Sequence, residues 1–262
     1  MSRPLDGIGV LVTRPEHQAG GLCALIEEAG GEAWRFPALG IEPVSDTTSL
    51  QHDLTNLDRF DLAILVSPNA VDSVFDQLPG GWPTGLAAAV VGSGSARAFA
   101  RRSGRPPDFT PSQRFDSEGL LELLPTRLDG KRVVILRGQE GRELLAESLT
   151  ARGAVVERIA TYRRVCPQPS AAALQRLLEP WQRGRIDIVT ATSAETLRNL
   201  FAILEGDGQQ LLNRTPLVVV SERMPAAAAE LGYPLQPVVA RRAADGAVVD
   251  AIIEWCTTRN ER

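Results

Sequence analysis

Residues 7–36, GIGVLVTRPEHQAGGLCALIEEAGGEAWRF, return at residues 130–159 as GKRVVILRGQEGRELLAESLTARGAVVERI, without a gap. In the first copy residues 8–12 are an apolar run of strand type, Thr13-Arg14-Pro15 is a turn, and residues 16–29 carry the helical spacing Leu22, Leu25, Ile26, Ala29. Gly30 and Gly31 stop that helix as a left-handed cap does, and residues 32–36 read as a second short strand. The second copy repeats this grammar. Residues 132–136 are a strand, Arg137-Gly138-Gln139-Glu140 a turn, 144–151 a helix stopped at Gly153, and 154–161 the following strand.

A second repeat alternates with the first. DLAILVSPNAVDSVFDQL, from Asp61, matches DIVTATSAETLRNLFAIL, from Asp187, with Ser67 and Ser193 each opening a helix. AAAVVGSGSARAFARRSGRPP, from Ala87, matches PLVVVSERMPAAAAELGYPLQP, from Pro216, and residues 115–124 match 242–253 as a closing helix. Internal repetition outranks local propensity as a guide to architecture. Strands alternating with helices at this spacing imply an α/β protein of two doubly wound parallel-sheet domains, flavodoxin-like or Rossmann-like, made by internal duplication. The Pro/polar stretches 37–44 and 165–170 break the pattern and read as interdomain crossings. The expected domains are therefore a discontinuous one, 1–36 plus 168–262, and a middle one, 37–167, so that each holds one unit of each repeat.

The 262 residues suit two domains of ~100 to 150 residues each. With 44% hydrophobic and 23% charged residues, the chain has material for a sizeable core and too little charge bias for disorder. No run approaches the ~18 to 20 apolar residues of a membrane span, and MSRPLDGIGVLVTRPE lacks the features of a signal peptide, so a cytoplasmic protein without membrane contact is expected. Cys23, Cys166 and Cys256 are odd in number and far apart, and His17 and His52 stand apart from any acidic or cysteine cluster, which disfavours a disulfide framework, a metal site and histidine base catalysis. A net charge of −4 argues against nucleic-acid binding, although Lys131 is the only lysine beside 27 arginines among the 28 basic residues.

Ligands of open α/β sheets bind at the carboxyl ends of the strands. Six turns follow predicted strands there: Thr13-Arg14-Pro15, Ser67-Pro68-Asn69, Gly92-Ser93-Gly94-Ser95, Arg137-Gly138-Gln139, Thr192-Ser193-Ala194 and Ser221-Glu222-Arg223. Each offers hydroxyls, an arginine, or backbone N–H groups at a helix N-terminus, where unpaired donors and the positive dipole end attract anions. Serine and threonine are also the usual N-caps, and Thr192 with Glu195 fits a capping box. Arg14, Arg137 and Arg223 have no such capping role and meet an unfavourable dipole at a helix start, which makes them candidate ligand contacts. Gly92-Ser93-Gly94 lacks the third glycine and the distal acid of a dinucleotide fingerprint. Tyr162, one of two tyrosines, ends the predicted strand 155–161 at the second crossing, where a phenol can donate a proton or hydrogen bond to a leaving group.

Taken in order, VLVTRP, LVSPNAV, VVGSGSA, LRGQEGRELL, ERIATYRR and TSAETLRNL resemble the uroporphyrinogen-III synthase family, cofactor-independent enzymes of tetrapyrrole biosynthesis, over residues 8–253. The resemblance implies two α/β domains joined by a two-stranded linker, an active site in the cleft between them, and a monomer. It implies conversion of hydroxymethylbilane to uroporphyrinogen III with loss of water and inversion of the D ring. Tyr162 matches the family tyrosine proposed to assist departure of the hydroxyl group, Ser67, Ser95 and Ser193 match cleft hydroxyls, and Thr13 and Arg14 match the first rim turn. Ser93, Arg137, Gly138, Ser221 and Arg223 complete the expected substrate-binding set. The segment Ser221-Glu222-Arg223-Met224 departs from a Gly-Pro-Thr-Thr turn found elsewhere in the family. Two other classes fit the same architecture: a non-catalytic two-domain binder of a small polyanion, and a two-domain glycosyltransferase.

Overall fold

The computed structural model describes residues 3–78, 80–141 and 143–260. Its strands are β1 (Gly9–Val12), β2 (Glu32–Arg35), β3 (Gly40–Pro43), β4 (Leu62–Leu65), β5 (Ala87–Val90), β6 (Arg132–Gly138), β7 (Val155–Val165), β8 (Ile188–Ala191), β9 (Leu217–Val219) and β10 (Val238–Val239). Its helices are α1 (Glu16–Glu28), α2 (Thr47–Thr55), α3 (Pro68–Gln77), α4 (Ser93–Ser103), α5 (Ser117–Leu123), α6 (Leu144–Ala151), α7 (Ala171–Gln182), α8 (Ala194–Ile203), α9 (Asp207–Arg214), α10 (Met224–Glu230) and α11 (Asp245–Asn260). The chain divides into two compact units, Met1–Gly40 with Val165–Arg262, and Ile41–Arg164. One sheet runs β10-β9-β8-β1-β2 and the other β3-β7-β6-β4-β5. The pairs β1·β2, β1·β8, β8·β9 and β9·β10 are parallel, as are β4·β5, β4·β6 and β6·β7.

The two sheets are one pattern cut at different places. In the first, Val10 pairs with Ile188 and with Ala33, and Val189 pairs with Leu217. The repeat-equivalent pairs in the second are Val133 with Leu62, Val133 with Val156, and Ala63 with Ala88. Every register agrees with the sequence alignment. Of the two repeated modules, the first unit begins with β1-α1-β2 and the second with β4-α3-β5, so in their repeated parts the units are circular permutations of each other. Small details follow the same equivalence. Gly30 and Gly153 both take left-handed φ, 99° and 91°, each turning the chain out of its helix. Asp187 accepts from the N–H of Gly9 and Asp61 from that of Arg132 (2.9 and 2.8 Å), tying the amino ends of neighbouring strands. Asp61 also receives Lys131 Nζ at 2.8 Å.

Alternate residues of each strand face opposite helical layers, as a sheet buried on both sides requires. In the first unit Leu11, Val189 and Ala191 pack with Leu177, Trp181, Leu197 and Leu200, while Val10, Val12 and Ile188 pack with Leu22, Ile26, Val248 and Ile252. In the second unit Val134, Leu136, Ala63 and Leu65 face Val71, Val74 and Phe99, and Val133, Ile135, Leu62 and Ile64 face Leu120, Leu145 and Leu149. Cys23 and Cys256 lie buried in the first of these units, and Cys166 is exposed. Among the described residues no helix is long and apolar enough to cross a membrane.

Three local expectations change. The strand expected to end at Thr161 continues to Val165, which places Tyr162 inside it. The expected turn at Arg137-Gly138 belongs to β6, because a register irregularity pairs Gly138 with Tyr162 and lets the strand run on. Within the stretch 37–44, Gly40–Pro43 is strand β3, at the edge of the second sheet beside β7. A proline is tolerated at an edge strand because its missing N–H leaves no ladder bond unmade.

Candidate active site

In each unit the predicted residues, Thr13 excepted, fall on the carboxyl-end rim, and the strand order sets them side by side. Along the second sheet the sequence is Tyr162 on β7, Arg137 and Gly138 on β6, Ser67 after β4, and Ser93 and Ser95 at the start of α4. The strand order reverses between β4 and β6, so Ser67 and Gly138 flank the switch point where doubly wound sheets take ligands. Ser67 is the N-cap of α3, and its Oγ accepts the N–H of Ala70 at 3.1 Å. That same Oγ lies 3.0 Å from Tyr162 Oη, which is within a hydrogen bond. Tyr162 is 2% exposed.

Its position is set by the backbone. Arg137 pairs with Ala160 and Gly138 with Tyr162, so Thr161 is an extra residue that re-aims the phenol onto the face of Gly138. Thr161 is held from both sides: its hydroxyl donates to Arg137 O at 3.3 Å, and its carbonyl accepts from Ser73 Oγ. Beyond it, the N–H of Gln139 donates to Tyr162 O at 2.8 Å.

Ser93 is exposed and Ser95 buried in the first turn of α4, whose N-cap, Gly92, supplies no side-chain acceptor. The first N–H groups of α4 thus keep their pull on an anion. Arg137 differs, since its guanidinium donates to Glu143 Oε1 at 3.0 Å and to Gly141 O at 3.2 Å. Glu143 also binds Arg158, and the two arginines, Arg158 foremost, hold its carboxyl below the usual range.

In the first unit the rim residues are Arg14 after β1, Ser193 after β8, and Ser221 and Arg223 after β9. Ser193 caps α8, accepting from Thr196 N at 3.0 Å with Thr196 Oγ1 at 2.8 Å. The cap is therefore Ser193 and not Thr192, which corrects the capping-box reading by one residue. Arg14 forms an ion pair with Asp245, the first residue of α11. The carboxylate suits the positive end of α11 and offsets the guanidinium. Gly21 leaves room for it, because a Cβ there would stand 2.7 Å from Asp245 Oδ2. Arg223 is exposed at the start of α10, and its N–H donates to Ser221 Oγ at 3.3 Å. Thr13 points inward: it is fully buried and its hydroxyl donates to Thr190 O at 2.6 Å, strapping β1 to β8.

The structure therefore brings Ser67, Gly138 and Tyr162 into direct contact and spaces the other rim residues along two sheet edges. Asp245 and Glu143, the partners of two rim arginines, escaped the sequence reading. An acid opening the last helix was the available signal for Asp245. Among the described residues no group of three or more His, Cys, Asp or Glu side chains is arranged to hold a metal ion.

A family model described as uroporphyrinogen-III synthase HemD matches residues 21–250. The chain belongs to the uroporphyrinogen-III synthase family. A uroporphyrinogen-III synthase of Escherichia coli is 33% identical over 231 residues, 86% of this chain and 92% of that one. One from Synechococcus elongatus is 31% identical, over 77% and 76% of the two chains. Among solved structures, the Helicobacter pylori uroporphyrinogen-III synthetase covers 95% of this chain and 99% of its own, at 14% identity and a TM-score of 0.64. A Thermus thermophilus uroporphyrinogen III synthase mutant covers 96% and 99%, at 22% identity and a TM-score of 0.59. These two likenesses carry the fold, and the α/β class expected from the repeats is the one found.

Proposed function

We propose that this synthase closes hydroxymethylbilane to uroporphyrinogen III, expelling one water and inverting the D ring, and that Tyr162 acts on the departing hydroxyl. The observation that carries the residue assignment is the contact of Tyr162 Oη with Ser67 Oγ at the switch point of the second sheet. As the substrate's hydroxymethyl C–O bond breaks, the oxygen gathers negative charge and must leave as water. A phenol already oriented by Ser67 can donate to that oxygen, while the electron pair of the pyrrole nitrogen compensates the carbon. The substrate carries eight carboxylates. Ser93 with the uncapped start of α4, Ser95, Ser193, Ser221 and Arg223 offer donors to them, and Arg14 and Arg137 add positive potential while held by their own acids.

Hydroxymethylbilane also closes without an enzyme to the un-inverted isomer I, so the protein must steer as well as accelerate. A ratio of about 99:1 between the closures needs roughly 2.7 kcal/mol of differential transition-state stabilisation, within reach of oriented binding. The reading takes a single chain in the cytoplasm as the working unit. The test is to generate hydroxymethylbilane in situ, add the protein, oxidise the products and separate the porphyrin isomers. Predominant isomer III supports the reading, and isomer I at the spontaneous rate overturns it. In the same assay Tyr162→Phe should lower kcat about tenfold or more with a native circular dichroism spectrum. Full activity in that variant removes Tyr162 from the reaction.

A further inference from the structure

We propose that Gly138 and Ser67 are positioning residues for Tyr162, forming a two-sided seat that fixes where the phenol hydroxyl points. The inference rests on the assignment of Tyr162 above. On one side is a missing side chain. A Cβ on Gly138 would stand 3.0 Å from Tyr162 Cζ, 3.1 Å from Cε2 and 3.2 Å from Oη, so a larger residue requires the ring to shift by a few tenths of an ångström. On the other side Ser67 Oγ meets Oη at 3.0 Å while capping α3, which gives the serine a second hydrogen bond beyond the helical one. The extra residue Thr161 turns the phenol into this slot.

The internal duplication separates seat from scaffold. The position equivalent to Ser67 is Ser193, which also caps its helix, so that serine's capping role belongs to the shared fold. The residue equivalent to Gly138 in the repeat is Pro15. Pro15 is the N-cap of α1, outside β1, whereas Gly138 is the last residue of β6, so the bare Cα occurs in the unit where the strand runs on beside the tyrosine. Gly138 is not demanded by a left-handed φ either, since it is not among the glycines with positive φ. What requires its bare Cα is the tyrosine ring.

The experiment uses the full chain labelled with 13Cζ-tyrosine. Tyr162 and Tyr233 are the only tyrosines, so two resonances are expected and Tyr162→Phe assigns them. In Gly138→Ala and in Ser67→Ala the Tyr162 resonance should move and that of Tyr233, whose hydroxyl donates to Thr215 O, should stay. With hydroxymethylbilane each variant should lose about tenfold in kcat with KM within about twofold, and the loss should vanish when Tyr162→Phe is the background. A Tyr162 resonance unmoved in the folded variants overturns the proposal, as does an equal kcat loss with and without the phenol hydroxyl. If Gly138→Ala does not fold, Ser67→Ala decides. Full activity of Tyr162→Phe would remove the catalytic assignment itself, and the resonance would still decide whether the two residues set the phenol.

Discussion

Arg14 and Arg137 occupy the same place in the two copies, each directly after a central run of the sheet, and each is answered by an acid: Asp245 for one, Glu143 for the other. Both stand out in the sequence because a cation at a helix start runs against the dipole. The fold supplies the compensation from within, through acids distant in sequence or beyond the turn. Arg14→Ala should raise KM for hydroxymethylbilane more than it lowers kcat, the pattern of contacts equal in ground and transition states. An unchanged KM in steady-state kinetics would mean that Arg14 serves only the Asp245 pair. Glu143 makes a pH prediction. Its carboxyl is held low in the folded protein by Arg158 and Arg137, so its contribution to stability is complete above the ordinary carboxylate value of about 4 and fades as pH falls through the depressed one. Glu143→Gln should therefore lower Tm at neutral pH, and the gap from the unaltered protein should close in melts recorded below about pH 4. A gap constant from pH 7 to pH 3 would show that the charge does not matter.

Among the elements, the legible ones were those whose physics is local. The runs 8–12 and 132–136 are apolar between turn residues, and Gly30 and Gly153 end their helices in the conformation only glycine takes easily. Gly30→Ala and Gly153→Ala should each cost about 1 kcal/mol or more, since a Cβ meets the left-handed penalty. It also meets Asp6 Oδ1 at 2.4 Å or Asp129 Oδ1 at 2.6 Å, and urea unfolding of the two variants should show similar losses because the sites are copies. A loss at one site and none at the other would contradict that equivalence. Less legible was β7, whose Tyr162-Arg163-Arg164 end reads as polar chain yet continues the ladder to Val165. Its partner β3 hides in a proline-containing stretch because edge pairing makes no demand on Pro43. The re-aiming of Tyr162 by Thr161 left no mark in the sequence at all, for an extra residue in a strand changes no periodicity until its partner is known.

For the molecule as a whole, the permuted duplication explains why each unit holds the two repeats in the opposite order to the other and why their registers agree pair by pair. One unit, Ile41–Arg164, is continuous, with its own two-faced core. A fragment of residues 40–165 should therefore fold alone and melt cooperatively by circular dichroism; a fragment without a transition would show that this core depends on the rest of the chain. The residues of the rim were legible as a set because strand ends are found from hydrophobic runs, whereas their mutual contacts depend on sheet order, which no single stretch encodes. The lone lysine, meanwhile, stands half-exposed just before β6, at the opposite end of that strand from Gly138. The seven residues of β6 span about 20 Å, so an amine-directed fluorophore or surface tether has one side-chain address in this protein, and it lies well away from the phenol.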